Sequence, residues 1–131
     1  MGLHDIDSES LPYDPSRLEA KPDLGADAYF ALDIRAGRVL EVEEFPEARK
    51  PAWKMRVDFG PVRGVMATSA QIRNYEAEEL VGRMVVGVLN LGPRRIADFR
   101  SEFLVLGALE PDGTVRLLEV PPGVRPGAPI A

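Results

Sequence analysis

The stretch WKMRVDF, residues 53–59, constrains the fold more than any other. Trp53, Met55, Val57 and Phe59 alternate with Lys54, Arg56 and Asp58 through seven positions. That period of two belongs to a strand with one buried face and one wet face, and it is incompatible with a helix. Gly60 and Pro61 end the run, and RGVMATS resumes an extended pattern, so the two segments are expected to pair as a hairpin. Upstream, LDIRAGRVLEVEEF (32–45) reads as a long strand, with Gly37 the expected place for a bulge or bend.

Beyond residue 70 the signals are shorter. YEAEELVG (75–82) has early acids and a terminal glycine, which predicts a short helix. RMVVGVLN (83–90) and EFLVLGALE (102–110) are nearly continuous apolar runs suited to covered strands, and PDG (111–113) predicts a turn into a last strand, TVRLLEV. The closing PPGVRPGAPIA has too many prolines and glycines for a regular element. The expected fold class is all-β, with one short helix between the third and fourth strands. Six short strands with one helix suggest a small barrel, and five strands plus one helix is the inventory of the Greek-key barrel that binds oligonucleotides and oligosaccharides.

Composition narrows the chemistry. A chain of 131 residues supports one modest core. It contains no cysteine, and its one histidine is His4, so disulfides, thiolate zinc sites and Ser-His-Asp catalysis are not expected. Glu41, Glu43, Glu44 and Glu47 form an acidic group, but adjacent strand positions point to opposite faces, which argues against a paired-carboxylate site. The glycines show no phosphate-cradling spacing. An enzyme is not expected, nor is any cofactor or metal.

Residues 1–29 carry seven acids against Arg17 and Lys21, so the net charge of −5 lies wholly there and the rest of the chain balances. Residues 1–28 are read as a flexible acidic tail with one short helix around SRLEAK, and 29–131 as the folded domain with a short C-terminal extension. The start does not resemble a secretory signal and no apolar run reaches spanning length, so a cytoplasmic protein without membrane insertion is expected.

Two basic stretches stand out. The first covers loop 45–52 and the strand after it, with Arg49, Lys50, Lys54 and Arg56; the second is LGPRRIADFRS (91–101), with Arg94, Arg95 and Arg100 around Ile96 and Phe99. In the small barrel these are the loops joining strands 1–2 and 4–5, which flank the usual ligand face. The fold is therefore expected to bring them together as a binding surface. Arginine forks suit phosphates, carboxylates and peptide carbonyls, and apolar neighbours add anchors. Trp53, in the apolar phase of its strand, is expected to pack in the core.

LDIRAGRVLEVEEFPEA, LVGRMVVGVLNLGPRRI and SEFLVLGA together resemble the tRNA-binding domain family, found appended to methionyl- and phenylalanyl-tRNA synthetases and in free-standing proteins. FPEARKPAWKMRVDFG, ATSAQI, PRRIADFRSEFLVLG and the ending VRPGAPI are most similar to its branch of CsaA-like export chaperones. The resemblance covers about residues 29–130 and implies a barrel that forms a homodimer through its extensions. It implies as partners unfolded or export-precursor polypeptides, with tRNA the alternative on the same face. Carried over by motif, Ser69, Gln71, Asn90, Pro93, Arg94, Arg95 and Ser101 fall on ligand-facing positions. Where synthetase-type members have glycine and methionine after the Ser-Glu pair, this chain has Phe103 and Leu104. That departure favours the chaperone branch.

Overall fold

In a computed structural model, which describes residues 11–131, the chain forms a nearly closed antiparallel barrel. Its main sheet has the order β3-β2-β1-β4-β7, from β1 (Ile34–Glu44), β2 (Trp53–Asp58), β3 (Val65–Ala70), β4 (Met84–Val88) and β7 (Leu104–Val105). Two small hairpins flank it: β5 (Arg94–Ile96) with β6 (Phe99–Ser101), and β8 (Gly107–Leu109) with β9 (Val115–Leu117). The barrel architecture and the hairpin of β2 and β3 are as the sequence implied, although a helical turn, α2 (Gly60–Arg63), joins those two strands.

Alternation sets the core. Trp53, Met55, Val57 and Phe59 are all buried, and β2 turns them inward against Val39, Met66, Val85, Leu89 and Phe103. Phe59 is fully enclosed and meets Phe103 edge-on at 4.8 Å between ring centroids. Its ring occupies the space beside Gly37, where a Cβ atom would stand 2.5 Å from Phe59 Cε1. Gly37 therefore serves close approach, and the register shift that bends β1 lies between Val39 and Glu41.

Closure between β3 and the chain leading into β7 uses side chains. Thr68 Oγ1 donates to the Phe103 carbonyl at 2.7 Å, and Glu102 accepts from the Ala67 amide at 2.9 Å while its own amide donates back to Ala67 O at 2.7 Å. These bonds satisfy an edge that would otherwise present unpaired backbone groups.

Several segments differ from the sequence reading. The helix expected over 75–82 is a single turn, α3 (Ala77–Leu80), held by a reciprocal capping box between Glu76 and Glu79. The strand expected over 102–110 is broken at Leu106. Its amide bonds to Val86 O while its carbonyl accepts from Leu118, so the chain changes sheets there. The C-terminal segment is paired despite its prolines: Gly127 and Ala128 exchange bonds with Ala36, and the Ile130 amide donates to Ile34 O at 2.9 Å. It thus covers the half of β1 that β2 does not reach.

Of the acidic tail, residues 1–10 lie outside the described residues. The helix expected around SRLEAK is a 3-10 turn over Pro15–Arg17, capped by the Asp14 carboxylate. Tyr13 docks on the second hairpin, its amide donating to Pro111 O at 3.0 Å and its hydroxyl to Leu109 O. A further short helix, α1 (Ala26–Phe30), precedes the barrel.

Candidate binding surface

Lys54 and Arg56 point outward from β2, flanked on β3 by Ser69 and Ala67 and on β1 by Glu43 and Glu41. Loop 45–52 begins with Phe45, which is buried, and the hairpin β5–β6 reaches over the same end of the sheet with Phe99. The two rings meet edge-on at 5.4 Å, and the Lys54 ammonium lies 5.2 Å from the Phe45 centroid and 5.7 Å from the Phe99 centroid. Two segments more than forty residues apart are thus joined through one aromatic pair capped by a cation, a geometry in which each ring face attracts the charge.

Trp53 is core, as expected. Its indole Nε1 donates to Tyr75 O at 3.1 Å, and the Arg73 guanidinium stacks on its ring at 3.9 Å. Arg73 is held in turn by Glu44 at 2.8 Å. Beside this pair lies a depression of about 260 Å³, lined by Phe45, Pro46, Ala48 and Pro51 with Arg49, Arg73 and Glu44 at its edge.

The hairpin is built differently. Ile96 and Phe99 face inward and half-buried, while Arg95 and Arg100 stand directly opposite each other on the exposed face. Like charges at such a pair repel. Asp98 relieves Arg95 at 3.3 Å, and Arg95 Nε also donates to the carbonyl of Ala97, which turns the hairpin with a φ of 52°. Arg94 and Arg100 have no ion pair among the described residues, and neither has Arg49. Pro93 and Gln71 are exposed.

Two of the positions carried over by motif are occupied with holding the fold. Ser101 is buried; its Oγ accepts from the Ser69 amide at 3.1 Å and lies 3.2 Å from Thr68 Oγ1. Asn90 clamps the chain entering β1, accepting from the Asp33 amide at 2.8 Å and donating to Ala31 O at 2.9 Å.

Sequence reasoning set the glutamates of β1 aside as a site, yet they decide the electrostatics of the face. Glu41 lies 3.8 Å from Arg56, Glu43 is the cross-strand neighbour of Lys54, and Glu44 holds Arg73. The strand cations are therefore largely answered by acids, and the unanswered ones sit on the loops. The register of β1 against β2 is the missing signal. It depends on the shift between Val39 and Glu41, which the sequence does not mark.

No group of His, Asp or Glu among the described residues is arranged to hold a metal ion, and no described helix is long and apolar enough to cross a membrane.

Residues 34–129 match the model of the putative tRNA binding domain family. A crystal structure of the CsaA chaperone protein from Picrophilus torridus is 44% identical, with a TM-score of 0.78 over 83% of this chain and 100% of that one. The chaperone CsaA from Bacillus anthracis is 40% identical, with a TM-score of 0.79 over 84% of this chain and 100% of that one. A methionine–tRNA ligase of Porphyromonas gingivalis is 36% identical over 108 residues, 82% of this chain but 16% of the ligase. The chain thus spans about a sixth of the length of that curated relative. The ordered barrel and the match across most of its length make this chain a member of the tRNA-binding-domain family.

Proposed function

We propose that the protein is a non-enzymatic, CsaA-like chaperone that binds exposed segments of unfolded polypeptides, such as export precursors, on the face between loop 45–52 and the hairpin β5–β6. One observation carries this reading: the cations of the sheet face are matched by Glu41, Glu43 and Glu44 around an apolar centre of Phe45 and Phe99. A polyanion laid along that face meets carboxylates as well as cations. An extended polypeptide, carrying both charge signs and apolar side chains, finds a partner for each. The full-length matches to CsaA proteins support it, since those chains are covered completely.

A second reading, recognition of tRNA, is favoured by the unpaired Arg49, Arg94 and Arg100 and by the ligase relatives. Phosphate contacts impose a salt dependence of roughly 0.7 to 0.9 logarithmic units per contact. The deciding experiment measures suppression of aggregation of a chemically unfolded client beside tRNA titrations at two salt concentrations. Salt-tolerant suppression with weak tRNA binding is expected. Tight tRNA binding with a steep slope and no suppression reverses the assignment.

We also propose a homodimer formed through the extensions. Leu24 and Phe30 are 80% and 74% exposed, and Tyr29, edge-on to Phe30, and Ile130, whose carbonyl accepts from the Tyr29 hydroxyl, add apolar surface. Sedimentation of the wild type and of Phe30→Glu tests this, with a shift to monomer expected in the variant.

A further inference from the structure

The hairpin β5–β6 is a two-stranded unit outside the main sheet, so β5 has a strand neighbour on one side alone. Its turn is two residues long, Ala97 and Asp98, with Ile96 facing Phe99 across it. In such a hairpin the pair next to the turn exchanges backbone hydrogen bonds, and bonded and unbonded pairs then alternate. Ile96 with Phe99 and Arg94 with Ser101 are therefore bonded pairs, and Arg95 with Arg100 is the unbonded one. The Arg95 amide and carbonyl consequently point away from β6, along the outer edge of β5. No backbone hydrogen bond among the described residues reaches that edge from another segment, and Gly92, Pro93, Arg94 and Arg95 are all exposed.

Elsewhere the chain covers its edges. Ser101 and Glu102 bond to β3, Asn74 and Tyr75 to β9, Tyr13 to β8, and residues 127–130 to β1. The edge of β5 is left open, and its side chains describe what fits there. On one face Arg95 and Arg100 stand opposite each other with a single acid, Asp98, 3.3 Å from Arg95. On the other face Arg94, which has no ion pair among the described residues, lies beside Ile96, and Ile96 adjoins Phe99 in its contact with Phe45. An occupant must offer Arg95 a donor and an acceptor side by side, an acidic side chain opposite the arginines, and an apolar one opposite Ile96. A phosphodiester chain offers acceptors without the matching amide donor. An extended polypeptide offers both.

We infer that an extended segment of a client polypeptide, with an apolar residue next to acids, adds to β5 as a third strand paired through the amide and carbonyl of Arg95. This rests on the chaperone reading above and specifies how that face takes its client. Main-chain bonds hold any extended sequence, while side chains opposite Arg94, Arg95 and Ile96 set the preference.

The probe is acetyl-Thr-Thr-Val-Glu-Glu-Val-Thr-Thr-amide, whose order is the same in both strand directions, beside an analogue N-methylated at both glutamates. The analogue keeps charge and side chains but lacks the two amide donors. In the full chain the Arg95 amide is expected to exchange freely with solvent and to slow about tenfold or more at saturating peptide, with β2 unchanged. The N-methylated analogue is expected to give no slowing. Arg95→Pro removes the edge donor where an edge strand tolerates proline, and Arg95→Ala removes the same side chain but keeps the donor. Peptide affinity is expected to fall about tenfold in the first and about threefold in the second.

Equal losses in the two variants, or equal slowing by both peptides, assign the binding to side chains and overturn the inference. So does an Arg95 amide already protected in the free protein, which places another segment or a second copy on the edge. Client suppression that persists in Arg95→Pro, with no protection of Arg95 by the peptide, removes the strand pairing and leaves the chaperone reading standing. Absence of suppression in the wild type, with Arg95 protected by the peptide, removes the chaperone reading and leaves the pairing.

Discussion

The sheet face of β1–β3 and the hairpin β5–β6 carry the same kinds of residue but hold them in opposite ways. On the sheet, each outward cation has an acidic neighbour one strand away, and beneath them lies a core with Phe59 at its centre. On the hairpin the strands are three residues long, two arginines face each other, and the main apolar tie to the sheet is Phe99 against Phe45. Register neutralises charge where strands are long. It leaves charge free where they are short, as on Arg94 and Arg100, which stand on a hairpin with little packing behind it. A ligand that engages Arg94 and Arg100 also restrains the hairpin, so binding and local ordering are coupled there.

Five substitutions or conditions test that contrast. Phe59→Ala should do most damage: it empties a fully buried site between Gly37, Gly87 and Phe103 and is expected to cost about 3 to 5 kcal/mol in denaturant unfolding. A loss below about 1 kcal/mol would show that the sheet is not the rigid half of the comparison.

Phe99→Ala cuts the tie between the halves. Because the ring is only half-buried, a loss of about 1 to 2 kcal/mol is expected, below the usual range for a core phenylalanine. Hydrogen exchange should accelerate over residues 94–101 while β2 remains protected. Uniform acceleration would mean that hairpin and sheet open as one unit.

Ala97→Gly removes a side chain from a left-handed turn position, φ 52°, and is expected to stabilise the hairpin by up to about 1 kcal/mol, seen as slower exchange in β5 and β6. Arg94→Ala with Arg100→Ala should leave unfolding within about 0.5 kcal/mol of wild type, because neither side chain has a partner to lose. Any polyanion binding should lose up to two contacts' worth of salt dependence, about 1.4 to 1.8 logarithmic units. An unchanged slope would exclude these arginines from phosphate contact.

The smallest effect lies on the other hairpin. The Thr114 amide, donating to the Asp112 carboxylate at 2.9 Å, holds its pKa below the ordinary carboxylate value. A depressed folded-state pKa stabilises above the unfolded value and is lost as pH falls through the folded one. The turn of β8–β9 should therefore loosen only in acid, with Asp112 titrating below a free aspartate when followed by NMR.

Much of the barrel was legible because alternation is a local signal. WKMRVDF fixed β2, its inward face and the burial of Trp53, and loop order then placed the two basic stretches together. What escaped was set by pairing rather than by pattern. Residues 94–101 lack the glycine that usually marks a tight turn, since Ala97 takes that conformation unaided, so the hairpin read as a loop. The tail at 127–130 read as irregular because proline and glycine density hides a segment that bonds to β1 through Gly127, Ala128 and Ile130. Ser101 and Asn90, read as ligand-facing from their motif, also hold the fold, Ser101 through the Ser69 amide and the Thr68 hydroxyl and Asn90 through the backbone of Asp33 and Ala31. Nothing local to a serine or asparagine distinguishes those two employments.

The pairing of residues 127–130 with β1 has a consequence for synthesis. A polypeptide emerges N-terminus first, so β1 leaves the ribosome before the other strands of the barrel. Half of one edge of β1, around Ala36, finds its backbone partners only when Gly127 and Ala128 arrive about ninety residues later. At a translation rate of about 5 to 20 residues per second, that edge waits several seconds in an incomplete sheet. The barrel is therefore expected to stay incomplete until those residues emerge, and a nascent chain halted before residue 127 should be markedly more sensitive to protease than one that includes them.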